Sequence, residues 1–181
     1  LGRMDWAETF LQEFSGKITA TPDPKLVADI GHAMFYFAQG QFRKAEQRLP
    51  HYFNYGSTDD LNLYSLAATL DMRIRYEQGS LLDDEGVNMR RATHKRIKEN
   101  KIIRPDRRVS ILGFYDVAIR LFRLREKLQI KAVNCNSARQ EMEDIHYSLT
   151  QKPTVDSEWL HKKCAEVRDL LRKNCPKTGS K

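Results

Sequence analysis

Two copies of Glu-x-x-His, Glu143/His146 and Glu158/His161, come nearest in this chain to the spacing of metal chemistry. Glutamate and histidine three apart project from one side of a helix. Two such motifs joined by two further inward carboxylates build di-metal centres in helical bundles. Here Lys152-Pro153 separates the copies, and Asp116 is the nearest candidate for either missing carboxylate. Without those ligands the motifs read as surface helix residues, and no metal is expected. His161-x-x-Cys164 supplies two potential zinc ligands where a structural site needs four. Asp59-Asp60 and Asp83-Asp84-Glu85 have the side chains for acid–base work, but each stands just before a helical pattern. Helix capping accounts for that placement. No phosphate-binding glycine loop, G-x-S-x-G elbow or H-E-x-x-H motif occurs. The sequence therefore assembles no catalytic site and calls for no cofactor; a non-enzyme is expected.

Cys135, Cys164 and Cys175 are odd in number and lack C-x-x-C spacing. They read as reduced thiols of a cytoplasmic protein.

Charge is the next signal. Arg91, Lys95 and Lys98 fall at i, i+4 and i+7 and so share one helical face; Arg90, Arg104, Arg107 and Arg108 extend the basic stretch. The formal net charge of +7 is unevenly spread. Residues 1–85 carry 8 Lys/Arg against 13 Asp/Glu, a net of −5, whereas residues 86–127 carry 13 against 4, a net of +9. That polarity suits steering of a partner. A stripe of this kind can neutralise phosphates. However, Phe114, Tyr115 and Phe122 belong to a pattern that looks buried, so no aromatic platform for bases accompanies it. Arg91, Lys95, Lys98, Arg104, Arg107 and Arg108 are therefore read as a surface for a protein or peptide. Nucleic acid bound by the 90–108 segment ranks second.

These residues need helices to hold them, and the punctuation for helices is plain. Trp6, Phe10, Leu11 and Phe14 share a face of a first helix over about 4–14. Asp23-Pro24 opens a second, about 25–39, with Leu26, Ile30, Ala33, Met34 and Phe37 along one stripe. Gly40 stops it, and Phe42 begins a return arm to about Tyr52 that carries Ala45, Leu49 and Phe53. Gly56-Ser57-Thr58-Asp59-Asp60 is turn and cap chemistry before a long pattern of Leu63, Leu66, Ala67, Leu70 and Ile74, which ends at Gly79. A basic helix follows from Asp83 to about Asn100. Pro105 then starts a helix apolar around most of its circumference, as a central stave would be. Two more helices, about 137–149 and from near Asp156, complete the chain. Nothing alternates with period two, and no run of about 18 apolar residues exists to span a membrane.

Aligned on Gly40, the stretch from Leu26 to Leu49 resembles a tetratricopeptide repeat. Ala33 falls at the small position of its first helix, Tyr36 at the aromatic position and Ala45 at the small position of its second helix. Asp29 and Pro50 depart from the pattern, and Leu81 and Asp84 mark a degenerate second unit. More broadly, Trp6-Ala7-Glu8 with Phe10-Leu11, Ala33 to Ala45, Tyr64-Ser65-Leu66-Ala67-Ala68, Lys95 to Lys101 and Glu158-Trp159-Leu160 resemble the C-terminal region of a group of uncharacterised bacterial tetratricopeptide-type proteins. The resemblance implies an all-α, right-handed stack of antiparallel helical hairpins with about eight helices, and further repeats upstream in a longer parent. It implies no activity. The expectation is one helical-repeat domain over 1–181, more regular over 1–79 and divergent over 80–181. Its expected role is a non-catalytic scaffold holding a protein or peptide segment in a groove.

Overall fold

Gly40 and Gly79 adopt φ of +72° and +81°, a conformation that glycine enters without the steric cost borne by other residues. Each ends a helix in the same way. Gln41 N–H donates to the Tyr36 carbonyl at 2.9 Å and Ser80 N–H to that of Arg75 at 3.0 Å, consuming carbonyls that a helix end would leave unmet. The computed structural model describes residues 2–19, 24–49 and 61–176. Among these it is all-α, with eight α-helices: α1 (Gly2–Phe14), α2 (Pro24–Ala38), α3 (Phe42–Arg48), α4 (Leu61–Gln78), α5 (Asp84–Glu99), α6 (Pro105–Gln129), α7 (Cys135–Gln151) and α8 (Ser157–Asn174). A one-turn 3-10 helix, Ser15–Lys17, follows α1. The return arm expected to reach Tyr52 stops at Arg48. Asp23, Tyr52, Phe53 and the 56–60 turn lie outside the described residues. No helix is long and apolar enough to cross a membrane among the described residues.

The chain divides into two compact units, residues 1–95 and 96–181. In the first, α2 and α3 form the hairpin that the Gly40 pattern predicts, and both pack on α4. Ala33, Ala45 and Ala67 are fully buried in one cluster with Leu26, Ile30, Leu70 and Ile74. Small side chains from three helices let the axes close to the roughly 8–10 Å of packed helices. Gly31 serves the α1–α2 contact likewise: a Cβ there would stand 3.1 Å from Leu11 Cδ2. Asp83 caps α5 as expected, its Oδ1 accepting from Gly86 N–H at 2.7 Å.

In the second unit α6, α7 and α8 pack pairwise into a three-helix bundle. The greasy helix α6 packs on both others, as do α7 and α8 in turn, so it is one of three equivalent staves and not a central one. It buries Ile111, Phe114, Val117, Leu121, Phe122 and Leu128 among others. Asn134 caps α7 by accepting from the N–H groups of Asn136 and Ser137 at 3.0 and 3.2 Å. Arg120 joins α6 to Glu141 of α7 at 2.7 Å.

One expectation is overturned. Cys135 and Cys175 form a disulfide, and only Cys164 is a free thiol. The two partners lie 40 residues apart in sequence. They meet because α7 and α8, of 17 and 18 residues, run antiparallel and bring the start of one beside the end of the other. The thiol argument for a cytoplasmic protein goes with the correction.

Candidate functional site

Along the seam of α7 and α8 runs a groove of about 830 Å³. Met142 and Leu171 form its apolar floor, both buried, and Tyr147 stands on the rim at 67% exposure. Helical spacing assembles it: Arg139, Met142, Glu143 and His146 recur on one face of α7, as do Arg168, Leu171 and Arg172 on α8, with Cys175 just past its end. Three guanidinium groups therefore face one carboxylate, that of Glu143.

Two of the three are not neutralised by any carboxylate among the described residues. Arg139 donates to Asn136 Oδ1 at 3.2 Å and to the main-chain carbonyls of Cys175 and Pro176 at 3.0 and 3.3 Å, all uncharged acceptors. Arg168 lies against the Cys164 thiol. Burial pushes that thiol above its ordinary pKa, and the charge and hydrogen bond of Arg168 only partly oppose this. Cys164 is thus a protonated core thiol, not a nucleophile. Arg172 pairs with Asp169 at 3.1 Å in an exposed i,i+3 contact of small energetic value.

The structure distributes the residues singled out by sequence quite differently. Glu143 and His146 line this groove, while Glu158 and His161 are exposed residues of α8 outside it. No three His, Cys, Asp or Glu side chains gather to hold a metal ion among the described residues. Of the basic stretch, Arg91 and Lys95 are exposed on the part of α5 within the first unit, and Lys98 and Arg107 are exposed in the second. Arg104 forms a two-pronged pair with Asp106 at 3.2 and 3.1 Å. Arg108 reaches back to the carbonyls of Lys98 and Ile103 at 3.3 and 3.2 Å, closing the end of α5. Arg108 thus has a structural duty that charge patterning does not reveal, whereas the exposed Arg104–Asp106 pair is of small energetic value. Sequence reading missed Arg139, Arg168 and Arg172 because they are scattered over two helices. The i,i+4 spacings of Arg139 from Cys135, of Arg168 from Cys164 and of Arg172 from Arg168 are the signal present in the sequence.

The first unit holds a contrasting feature. Arg75, almost wholly buried on α4, meets Asp71 at 3.0 Å, Glu85 at 3.0 Å and Asp83 at 3.8 Å. Burial works against the Arg75 charge, but Asp71 and Glu85 outweigh it and hold its pKa above the ordinary arginine value. For Asp71 burial wins: its carboxyl is pushed up to about 6 despite the attraction of Arg75, with Glu46 and Glu85 adding repulsion. This network ties the end of α4 to the start of α5. On α1, Trp6, Phe10 and Phe14 stack at 5.2 and 4.9 Å between ring centres and remain exposed, so the face drawn from their spacing is not covered by the described residues.

Compared with family models, with curated proteins and with solved structures, the chain matches none.

Proposed function

We propose that this protein is a non-catalytic interaction module whose α7–α8 groove seats an acidic protein segment anchored by an apolar side chain. The observation that carries the reading is the Met142–Leu171 floor with Arg139, Arg168 and Arg172 around it, opposed by Glu143 in the groove and by Asp169 beside Arg172. An apolar anchor removes the floor from water, at roughly 25 cal/mol per Å² of apolar surface covered. Carboxylates of the segment meet guanidinium groups that fit them two-pronged. Orientation and selectivity come from those pairs, affinity from the anchor.

The helical-repeat reading supports the same class of answer. The α2–α3 hairpin, turning at Gly40 with Ala33 and Ala45 buried at its seam, supports reading it as a tetratricopeptide-like pair, and such pairs act by presenting surfaces. The reading assigns the chain no reaction and no cofactor. A cytoplasmic setting would keep protein thiols reduced, so compartment bears directly on the bridge beside this groove.

The test is fluorescence anisotropy with a labelled peptide of glutamates flanking a central Leu-Leu. Arg172→Glu and Tyr147→Glu, both at exposed positions, are expected to weaken its binding ten-fold or more. Changing Arg91, Lys95 and Lys98 together to Ala should leave it unaltered. Absence of peptide binding would end the groove reading. If generic duplex DNA instead binds tightly near physiological salt, and the triple variant abolishes it, the basic 90–108 segment is a nucleic-acid surface.

A further inference from the structure

We infer that the Cys135–Cys175 disulfide is a redox latch on the α7–α8 groove: oxidised, it holds the arginine-lined walls in register; reduced, it releases the bound acidic segment. The inference rests on the reading of the groove proposed above. It starts from position. Cys135 is the first residue of α7 and Cys175 follows the last residue of α8, so the bridge fastens the same end of both walls. Cys175 also lines the groove itself.

The coupling to ligand recognition runs through Arg139. One helical turn beyond Cys135, it shares that residue's face of α7. Its guanidinium donates to the carbonyls of Cys175 and Pro176 at 3.0 and 3.3 Å. Arg139 is thereby oriented by the very segment that the bridge holds. Apart from the bridge and Arg139, that segment is tied by Cys175 N–H to the Leu171 carbonyl at 2.8 Å and by Asn174 Nδ2 to the Leu128 carbonyl at 3.0 Å. Opening the bridge leaves the burial of Cys175 and a few hydrogen bonds to hold a helix end, the part of a helix that opens first. The rest of the bundle is independently secured, since Ile145, Leu149, Leu160 and Val167 are buried along α7 and α8 without reference to the bridge. Reduction therefore loosens one end of the groove while the helices persist.

Access suits the chemistry. Cys135 is half-buried, whereas Cys175 is only 4% exposed, so an incoming thiolate meets the Cys135 sulfur. Attack of a dithiol reductant at Cys135 Sγ forms a mixed disulfide and expels the Cys175 thiolate. The second thiol of the reductant then closes its own disulfide and expels the Cys135 thiolate. Two electrons pass from the dithiol to the bridge, and the two cysteine sulfurs take up the two protons that the dithiol gives up. Cys164, 2% exposed and elsewhere on α8, takes no part.

The experiment uses the full chain with Cys164→Ala, so that every titrated thiol belongs to the pair. Binding of the labelled Glu-flanked Leu-Leu peptide is measured oxidised, after dithiothreitol, and after reoxidation with diamide; thiol counts establish each state. The expected result is ten-fold or greater weakening on reduction, full recovery on reoxidation, and unchanged far-UV circular dichroism. Cys135→Ala/Cys175→Ala should bind as the reduced form does in either condition. Equal peptide affinity in both redox states overturns the latch and leaves the groove reading standing. Loss of helical signal on reduction overturns it too, making the bridge a plain structural staple. No binding in any state refutes the groove reading itself, and the latch with it.

Discussion

Asp71 offers a quantitative test of how the first unit is held together. It is 4% exposed on α4, and its carboxyl has a pKa of about 6 against an ordinary 3.8. Because the folded state binds this proton more tightly than the unfolded chain does, the group contributes stability that is fully present below the ordinary value. That contribution fades as pH rises towards the folded value and is gone above it. A difference of two units at 1.36 kcal/mol each corresponds to about 3 kcal/mol. Asp71→Asn removes the titration but leaves an amide oxygen that can still accept from Arg75 Nε, now 3.0 Å from Asp71 Oδ2. At low pH the wild-type carboxyl is neutral and resembles the amide. At neutral pH it carries a charge that burial penalises more than Arg75 rewards. Relative to wild type, the variant should therefore gain about 2.4 kcal/mol of stability between pH 4 and pH 7.5, most of the full span. Urea unfolding at half-unit pH steps, followed by circular dichroism, measures the difference directly, and taking the difference cancels the other titrating groups. Glu85→Gln should shift the profile to lower pH, since Glu85 repels the Asp71 charge. A flat difference, or one that falls with pH, would mean that the ion pair with Arg75 outweighs burial and that the reasoning is wrong.

Two further predictions concern packing and backbone. Ala45→Leu, at a fully buried position on the α2–α3–α4 seam, should destabilise the protein by about 1–3 kcal/mol in urea; unchanged stability would contradict the close helix approach there. Lys131 holds φ of +54° while ending α6 by donating to the Leu128 carbonyl at 3.2 Å, and Lys131→Gly should relieve that conformation. The left-handed cost of about 1–2 kcal/mol, less the extra chain entropy of glycine, leaves a gain of roughly 0.5–1 kcal/mol in the same urea assay.

Local chemistry alone settled the helices and several of their ends. Gly40 and Gly79 stop helices because few other residues tolerate their backbone angles, Asp83 caps because its carboxylate reaches the free N–H of Gly86, and Pro105 starts a helix because its fixed φ suits the first turn. Ala33 and Ala45 were legible as a seam, since small side chains at helical spacing leave room for another helix. Each of these features is decided within a few residues. The groove and the buried network are not. Asp71 and Arg75, four apart on α4, look in sequence like any solvated helical ion pair; only the packing around α4 makes them a buried one. Trp6, Phe10 and Phe14 look like a face for the core, yet α1 meets α2 through Leu11 and Gly31 and leaves the rings outside. Cys135 and Cys175 look unpaired until the antiparallel course of α7 and α8 sets them side by side, and the same course gathers Arg139, Arg168 and Arg172 around one apolar floor. Periodicity determines which residues share the face of a helix. Which face meets which, and so which charges are buried and which cysteines touch, depends on the register between helices, a relation between distant segments that no local pattern encodes.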